Sequence, residues 1–261
     1  MQVFGRGEQA FCLRANKTKL RQNVEKLLSE GSVPCVIMAA DLDPLPAIKK
    51  ACLSADVPVL KTSLDSSAFL AAFSRWLDEK LSPVTHIHGV LVGVSGIGVL
   101  IRGAAGIGKS ECALELIKRG HILVADDVVE VQARWNRFLV GSCPAMLRHY
   151  MEVRGLGIID VELLFGVGST LDEMNIELEV VLTPPLKTGL DRLGVDQKTT
   201  KILGVDIPSL TLPVTPGRNL AVLIEVAALN QRLKSQGIFS AKEFSKKILD
   251  RMKKTANKDE K

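Results

Sequence analysis

The chain has 261 residues, 46% of them hydrophobic and 24% charged, enough to bury a core in one large domain or two small ones and too apolar for disorder to be the default. Its formal net charge of +5 is small for this length, and the basic residues are spread among acids, so a nucleic-acid partner is not indicated. The five cysteines show no Cys-x-x-Cys pair or zinc-like spacing, and no apolar run suits a signal peptide or a membrane span. A soluble, cytoplasmic protein with reduced thiols is expected.

Residues 1–32 carry little pattern beyond Leu20, Val24, Leu27 and Leu28, whose helical spacing is closed by Gly31. Val36 to Ala39 reads as a short buried strand, Pro46 to Leu53 as a proline-initiated helix, and Val57 to Leu60 as a second strand. Phe69, Leu70, Phe73, Trp76 and Leu77 mark one face of a helix over 65–81, stopped by Ser82-Pro83. This alternation predicts a small α/β domain with parallel strands over 1–83.

Beyond it, His86 to Val94 and Val99 to Arg102 read as two strands of a hairpin turning at Ser95-Gly96. A helix over 110–119 broken by Gly120 and a strand from Ile122 to Ala125 follow. Segments 128–140 and 175–182 are extended, so a mixed sheet is expected in a second domain over 84–261. Leu220 to Leu233 gives a helix pattern, and Phe244, Ile248, Leu249 and Met252 a second amphipathic helix. The lysines and arginine of that last helix, Lys246, Lys247, Arg251, Lys253 and Lys254, read as a solvated face in preference to a nucleic-acid surface.

Five constellations carry chemistry. Gly103-Ala104-Ala105-Gly106-Ile107-Gly108-Lys109-Ser110 matches the phosphate-binding pattern G-x-x-x-x-G-K-[ST], with a strand before it and a helix after it, so that main-chain N–H groups converge on phosphate oxygens. Lys109 would contact the outer phosphates and Ser110 a magnesium ion. Asp126-Asp127 follows an apolar strand, where one acid would help hold metal and the other would take a proton; spacing does not say which. In Met151 to Asp160, Glu152 and Arg154 would share one side of an extended segment, as they would in any exposed strand with an ion pair. His86 and His88 would share one side of a strand. Arg192 and Arg218 lie in flexible surroundings and could neutralise a phosphoryl group, although a solvated arginine is the more frequent case.

Taken together, the segments HGVLV, GVLIRGAAGIGKSE, GHILVADD, MEVRGLGIID, DRLG and PGRNLAVLIEVAALN closely resemble the bacterial HPr kinase/phosphorylase family, from about Cys35 to the C-terminal helix. The resemblance implies an α/β protein with a C-terminal phosphoenolpyruvate carboxykinase-like P-loop kinase domain, preceded by a shortened α/β N-terminal domain. It implies phosphorylation of a serine of the phosphocarrier protein HPr, and its phosphorolytic reversal, in control of the sugar phosphotransferase system and carbon metabolism. His88, Lys109, Asp127 and Arg192 would be catalytic, Gly103 to Ser110 would bind ATP (pyrophosphate being the alternative donor), and Ser110 and Glu152 would hold Mg2+. Asp127 would act as base in one direction and acid in the other, MEVRGLGIID would serve both, and Pro213 to Arg218 chiefly the dephosphorylation. A homohexamer is the assembly implied. The sequence departs from the family where Thr215 replaces a usually basic residue. The alternative is a nucleotide-sensing module that binds a partner without phosphotransfer.

Overall fold

A computed structural model of the chain describes residues 1–185, 198–241 and 243–246. It divides into two compact units, Met1–Leu81 and Ser82–Lys261.

In the first unit, β1 (Gln2–Phe4), β2 (Val36–Met38) and β3 (Val59–Lys61) form a parallel sheet in the order β1-β2-β3. Helix α1 (Arg6–Arg14) follows β1, α2 (Lys17–Glu30) and α3 (Pro46–Ser54) flank β2, and α4 (Ser66–Leu81) closes the unit. Helix α2 starts where the Asn16 side chain accepts from the amides of Thr18 and Lys19 at 3.0 and 3.3 Å, satisfying donors that the first turn leaves open. Its spacing puts Leu20, Val24 and Leu28 into a core with Val36, Met38 and Ile48, while Leu27 stays exposed. Strand β1 and helix α1 fall in the stretch that carries little sequence pattern.

In the second unit, β4 (Val84–His88) is followed by β5 (Val90–Val94), β6 (Ile97–Gly103), α5 (Lys109–Lys118), β7 (Ile122–Ala125), β8 (Val128–Arg134) and β9 (Phe138–Ser142). Then come β10 (Tyr150–Val153), β11 (Gly157–Asp160), α6 (Val161–Phe165), β12 (Glu173–Asn175) and β13 (Leu178–Thr183). The last described elements are β14 (Thr199–Ile202), β15 (Val205–Pro213) and α7 (Leu220–Ser235). A six-stranded sheet runs β14-β15-β13-β6-β5-β7, parallel where β13 meets β6 and β15 and antiparallel elsewhere, which makes it mixed as expected. A second sheet, β12-β9-β8-β4, is antiparallel, and β10 and β11 form a hairpin.

Both faces of the six-stranded sheet are covered, which explains why β5 and β6 read as continuous apolar runs and not as alternation. On one face Val99, Ile101, Val180 and Leu182 pack with Ala113, Leu116 and Ile117 of α5 and Ala221 and Ile224 of α7. On the other, Leu91 and Leu100 pack with Val129, Val131 and Leu139 of the second sheet.

Two expectations are corrected here. His86 to Val94 is not one strand: it breaks at Gly89, and β4 joins the second sheet while β5 joins the first. A Cβ at Gly89 would lie 2.7 Å from the Ile101 carbonyl oxygen, so only glycine allows the chain to turn that corner. Segment 128–140 is not one extended run either, since β8 and β9 pair as a hairpin with Trp135 and Asn136 at positive φ. The helix expected from Phe244, Ile248, Leu249 and Met252 lies largely outside the described residues.

Candidate active site

The site begins at the carboxyl end of β6, where open α/β sheets collect ligands. Gly103, the last residue of β6, lies beside Leu182 of the parallel strand β13, so the loop after it is launched from the middle of the sheet. Gly108 caps α5 at φ +102°, a conformation that a Cβ disfavours. Ile107 turns inward against the α5 core and anchors the loop. The free N–H groups of the first turn of α5 then make an anion site with the helix dipole behind it. Lys109 Nζ donates to the Gly103 and Ala104 carbonyl oxygens at 3.2 and 3.1 Å, which keeps the ammonium over the loop.

The two aspartates at the end of β7 have different surroundings. Asp126 is buried; its Oδ1 accepts from Ser110 Oγ at 3.0 Å and its Oδ2 from the Glu152 amide at 3.1 Å. Burial pushes its carboxyl above the usual range, with those hydrogen bonds opposing the shift. One carboxylate thereby ties the phosphate loop to strand β10. The Asp127 side chain is 71% exposed, and its backbone is left-handed at φ +65°. Its carbonyl oxygen accepts from the Gly89 amide at 3.1 Å and lies 3.2 Å from His88 Nδ1. A carbonyl has no proton to give, so in this contact Nδ1 of His88 is the donor. The Asp127 carboxylate lies 3.6 Å from the same nitrogen.

The β10–β11 hairpin completes the site. Met151 and Val153 are buried, so the alternation of the strand sends Glu152 outward, and Arg154 follows on the exposed turn. Arg154 lays its guanidinium against Gly106 of the phosphate loop. Together His88, the loop, Lys109, Ser110, Glu111, Asp126, Asp127, Glu152 and Arg154 line one cleft of about 470 Å³.

Magnesium holds few protein ligands, keeps several waters and takes the rest of its octahedron from phosphates. The Ser110 hydroxyl, which donates to Asp126, and the carboxylate of Glu152, whose main-chain amide donates to the same Asp126, are hard oxygen donors beside a phosphate loop and fit such an ion. Among the described residues, no group of three or more His, Cys, Asp or Glu side chains is arranged to hold a metal ion.

The structure separates the two histidines. His88 reaches the cleft, whereas His86 lies against Glu130 at 3.5 Å, its partner across β4 and β8. Arg218 sits on an exposed turn apart from the cleft lining, and Arg192 lies outside the described residues. Asp126 is the residue that spacing left undecided; its burial distinguishes it from Asp127, and no sequence pattern encodes that difference.

Residues 79–248 match the family model described as the HPr Serine kinase C-terminal domain, and residues 1–77 match the HPr Serine kinase N terminus. The chain belongs to the HPr serine kinase family. The second match corrects the expectation that similarity begins near Cys35, since it starts at residue 1. Among members of the family, the chain is 43% identical over 252 residues to an HPr kinase/phosphorylase of Geobacillus thermodenitrificans, covering 96% of this chain and 81% of that protein. It is 44% identical over 254 residues to that of Geobacter sulfurreducens, covering 97% and 79% respectively. The HPr(Ser) kinase/phosphatase structure from Coxiella burnetii superposes with a TM-score of 0.56 at 41% identity, covering 61% of this chain and 98% of that one. No helix among the described residues is long and apolar enough to cross a membrane.

Proposed function

We propose that this HPr serine kinase family member transfers the γ-phosphoryl group of ATP to a serine hydroxyl of HPr and removes it again by phosphorolysis. The observation that carries the reading is one cleft holding a strand-launched phosphate loop, an exposed aspartate oriented by His88 and the Glu152–Arg154 hairpin. It sits in a chain 43% identical, over 96% of its length, to a protein named HPr kinase/phosphorylase.

Phosphoryl transfer asks for positioning and charge neutralisation more than covalent chemistry. In the forward direction the serine oxygen attacks the γ-phosphorus, the bond to the β–γ bridging oxygen breaks, ADP leaves, and Asp127 takes the hydroxyl proton. In reverse an oxygen of inorganic phosphate attacks the phosphoserine phosphorus, Asp127 returns a proton to the departing serine oxygen, and pyrophosphate is released. That product makes pyrophosphate a chemically sensible alternative donor. His88 holds the Asp127 backbone, Lys109 lies where outer phosphates bind, and Arg192 is assigned to charge neutralisation by the family resemblance alone. Ser110 and Glu152 would hold Mg2+, which neutralises phosphate charge when bound. Pro213 to Arg218 would serve chiefly the reverse reaction. We take the working assembly to be a cytoplasmic homohexamer, which sizing of the purified protein tests.

The nucleotide-sensing alternative drew on the shortened N-terminal domain, and residues 1–77 match the family's own N-terminal model. The test is direct. Purified protein with Mg2+ and ATP should place phosphate on a serine of HPr, and excess inorganic phosphate should then release pyrophosphate. Unlabelled HPr, where a control enzyme labels the same preparation, would overturn the proposal.

A further inference from the structure

The turn between β15 and α7 is fastened at both ends. At its start, the Val214 amide donates to the Thr183 carbonyl at 2.8 Å, tying it to β13, and the Val214 side chain packs on the α5 core. Within it, the Arg218 amide donates to the Thr215 carbonyl at 3.2 Å, with Gly217 at φ +80°. At its end stands Asn219, and both halves of that side chain are used. Its Oδ1 accepts from the Val222 amide at 3.0 Å and caps α7, while its Nδ2 donates to Glu115 Oε1 at 2.6 Å.

Glu115 belongs to α5, the helix that opens with Lys109 and Ser110. The same Oε1 accepts from Arg119 at 3.0 Å; Arg119 also reaches Glu225 of α7 at 3.3 Å, and Glu225 meets His121 at 2.9 Å. The hydrogen bond from Asn219, and then those from Arg119, hold the Glu115 carboxyl below its usual range. Surface ion pairs stabilise a fold little. A cap that shares its other half with the phosphate-loop helix instead fixes geometry. Four residues, 215–218, are left between a backbone tie to one neighbour strand of β6 and a side-chain tie to the helix that β6 feeds.

We infer that Glu115 and Asn219 are positioning residues: their hydrogen bond sets the turn 215–218 relative to the phosphate loop, and so controls the phosphorolysis direction more than nucleotide binding. This rests on the reading of Pro213 to Arg218 given above.

The bond has a donor and an acceptor that can be exchanged. Asn219→Asp keeps the cap, since aspartate caps as well as asparagine, but sets two carboxylates against each other at the tie. Adding Glu115→Gln returns a donor from the opposite side. Asn219→Asp should lower kcat for phosphorolysis about tenfold or more, since small displacements of positioning groups cost up to about a hundredfold. The dissociation constant for ATP should stay within about twofold and the thermal midpoint should hold, because loop and cap are intact. The double variant should recover phosphorolysis to within about threefold of the wild type, a rescue that a merely stabilising contact would not give. Hydrogen exchange over 215–218 should rise in Asn219→Asp and fall back in the double variant.

A double variant no better than the single one, or an Asn219→Asp protein equal to wild type in exchange and rate, overturns the inference. Wild type inert toward HPr while exchange follows the swap would instead sink the functional reading and leave the tie standing.

Discussion

Two adjacent aspartates of one strand end are separated by their surroundings into a buried tether and an exposed carboxylate, the latter being the base of the proposed reaction. Asp127, exposed and held in a left-handed turn beside His88, is placed to exchange a proton with a protein hydroxyl. Asp127→Asn should lower phosphoryl transfer to HPr by roughly a hundredfold to ten-thousandfold, the usual worth of a general base, with nucleotide affinity unchanged by equilibrium titration. Asp126 faces inward between Ser110 and the Glu152 amide. Asp126→Asn keeps the volume but replaces one acceptor by a donor, so Ser110 must accept, which engages one of its two lone pairs and turns its hydroxyl hydrogen elsewhere. The Mg2+ concentration needed for half-maximal nucleotide binding should then rise about tenfold or more, the range found when groups that orient a metal ligand are changed. An unchanged Mg2+ titration would remove Asp126 from that role. Neither outcome requires a change in fold, which circular dichroism checks.

At the scale of elements, helix α5 links chemistry to packing. Its first turn supplies Lys109 and Ser110, while Ala113, Leu116 and Ile117 are sealed against the sheet. Leu116 is fully buried, and Leu116→Ala should cost about 2–5 kcal/mol in denaturant unfolding through lost contacts and the cavity left behind. Much of this element was readable beforehand, because an apolar strand, a glycine loop and a helix with periodic apolar residues are local patterns. The hairpin of β5 and β6, strand β7 and helix α7 were readable for the same reason. Strand β1 and helix α1 were not: Gln2 to Phe4 is too short to show a period, and α1 buries only Cys12. The break at Gly89 depends on a carbonyl of β6 that approaches it in space, which no pattern along the chain reports. The phosphate loop was legible as a motif, His88 and Glu152 were named through the family resemblance, and all three share one cleft; spacing left Asp126 and Asp127 undecided, the resemblance pointed to Asp127, and burial supplies the physical difference between them.

The described residues build three hydrophobic cores, and each contains at least one buried cysteine. Cys12 and Cys52 lie in the core of the first unit, Cys112 between α5 and the six-stranded sheet, and Cys143 between the two sheets of the second unit. Burial pushes the Cys112 thiol up to about 12 and the Cys143 thiol up to about 11, so neither offers thiolate near pH 8. Cys35 is only partly buried, and native alkylation should modify it first, as peptide mass spectrometry will read. Because the folded Cys112 binds its proton more tightly than the unfolded chain does, the stability it contributes is full below about pH 9 and declines as pH rises toward about 12. Labelling of Cys112 at mildly alkaline pH therefore requires opening of the α5 core. A nucleotide seated on the loop at the head of α5 stabilises the closed form by about 2.7 kcal/mol at a hundred times its dissociation constant. ATP should accordingly slow modification of Cys112 by up to about a hundredfold, and slow Cys12 and Cys52 far less, since their core belongs to the other unit. Equal protection of all three thiols would mean that the two units open together, and fast native labelling of Cys112 would contradict its place in the core.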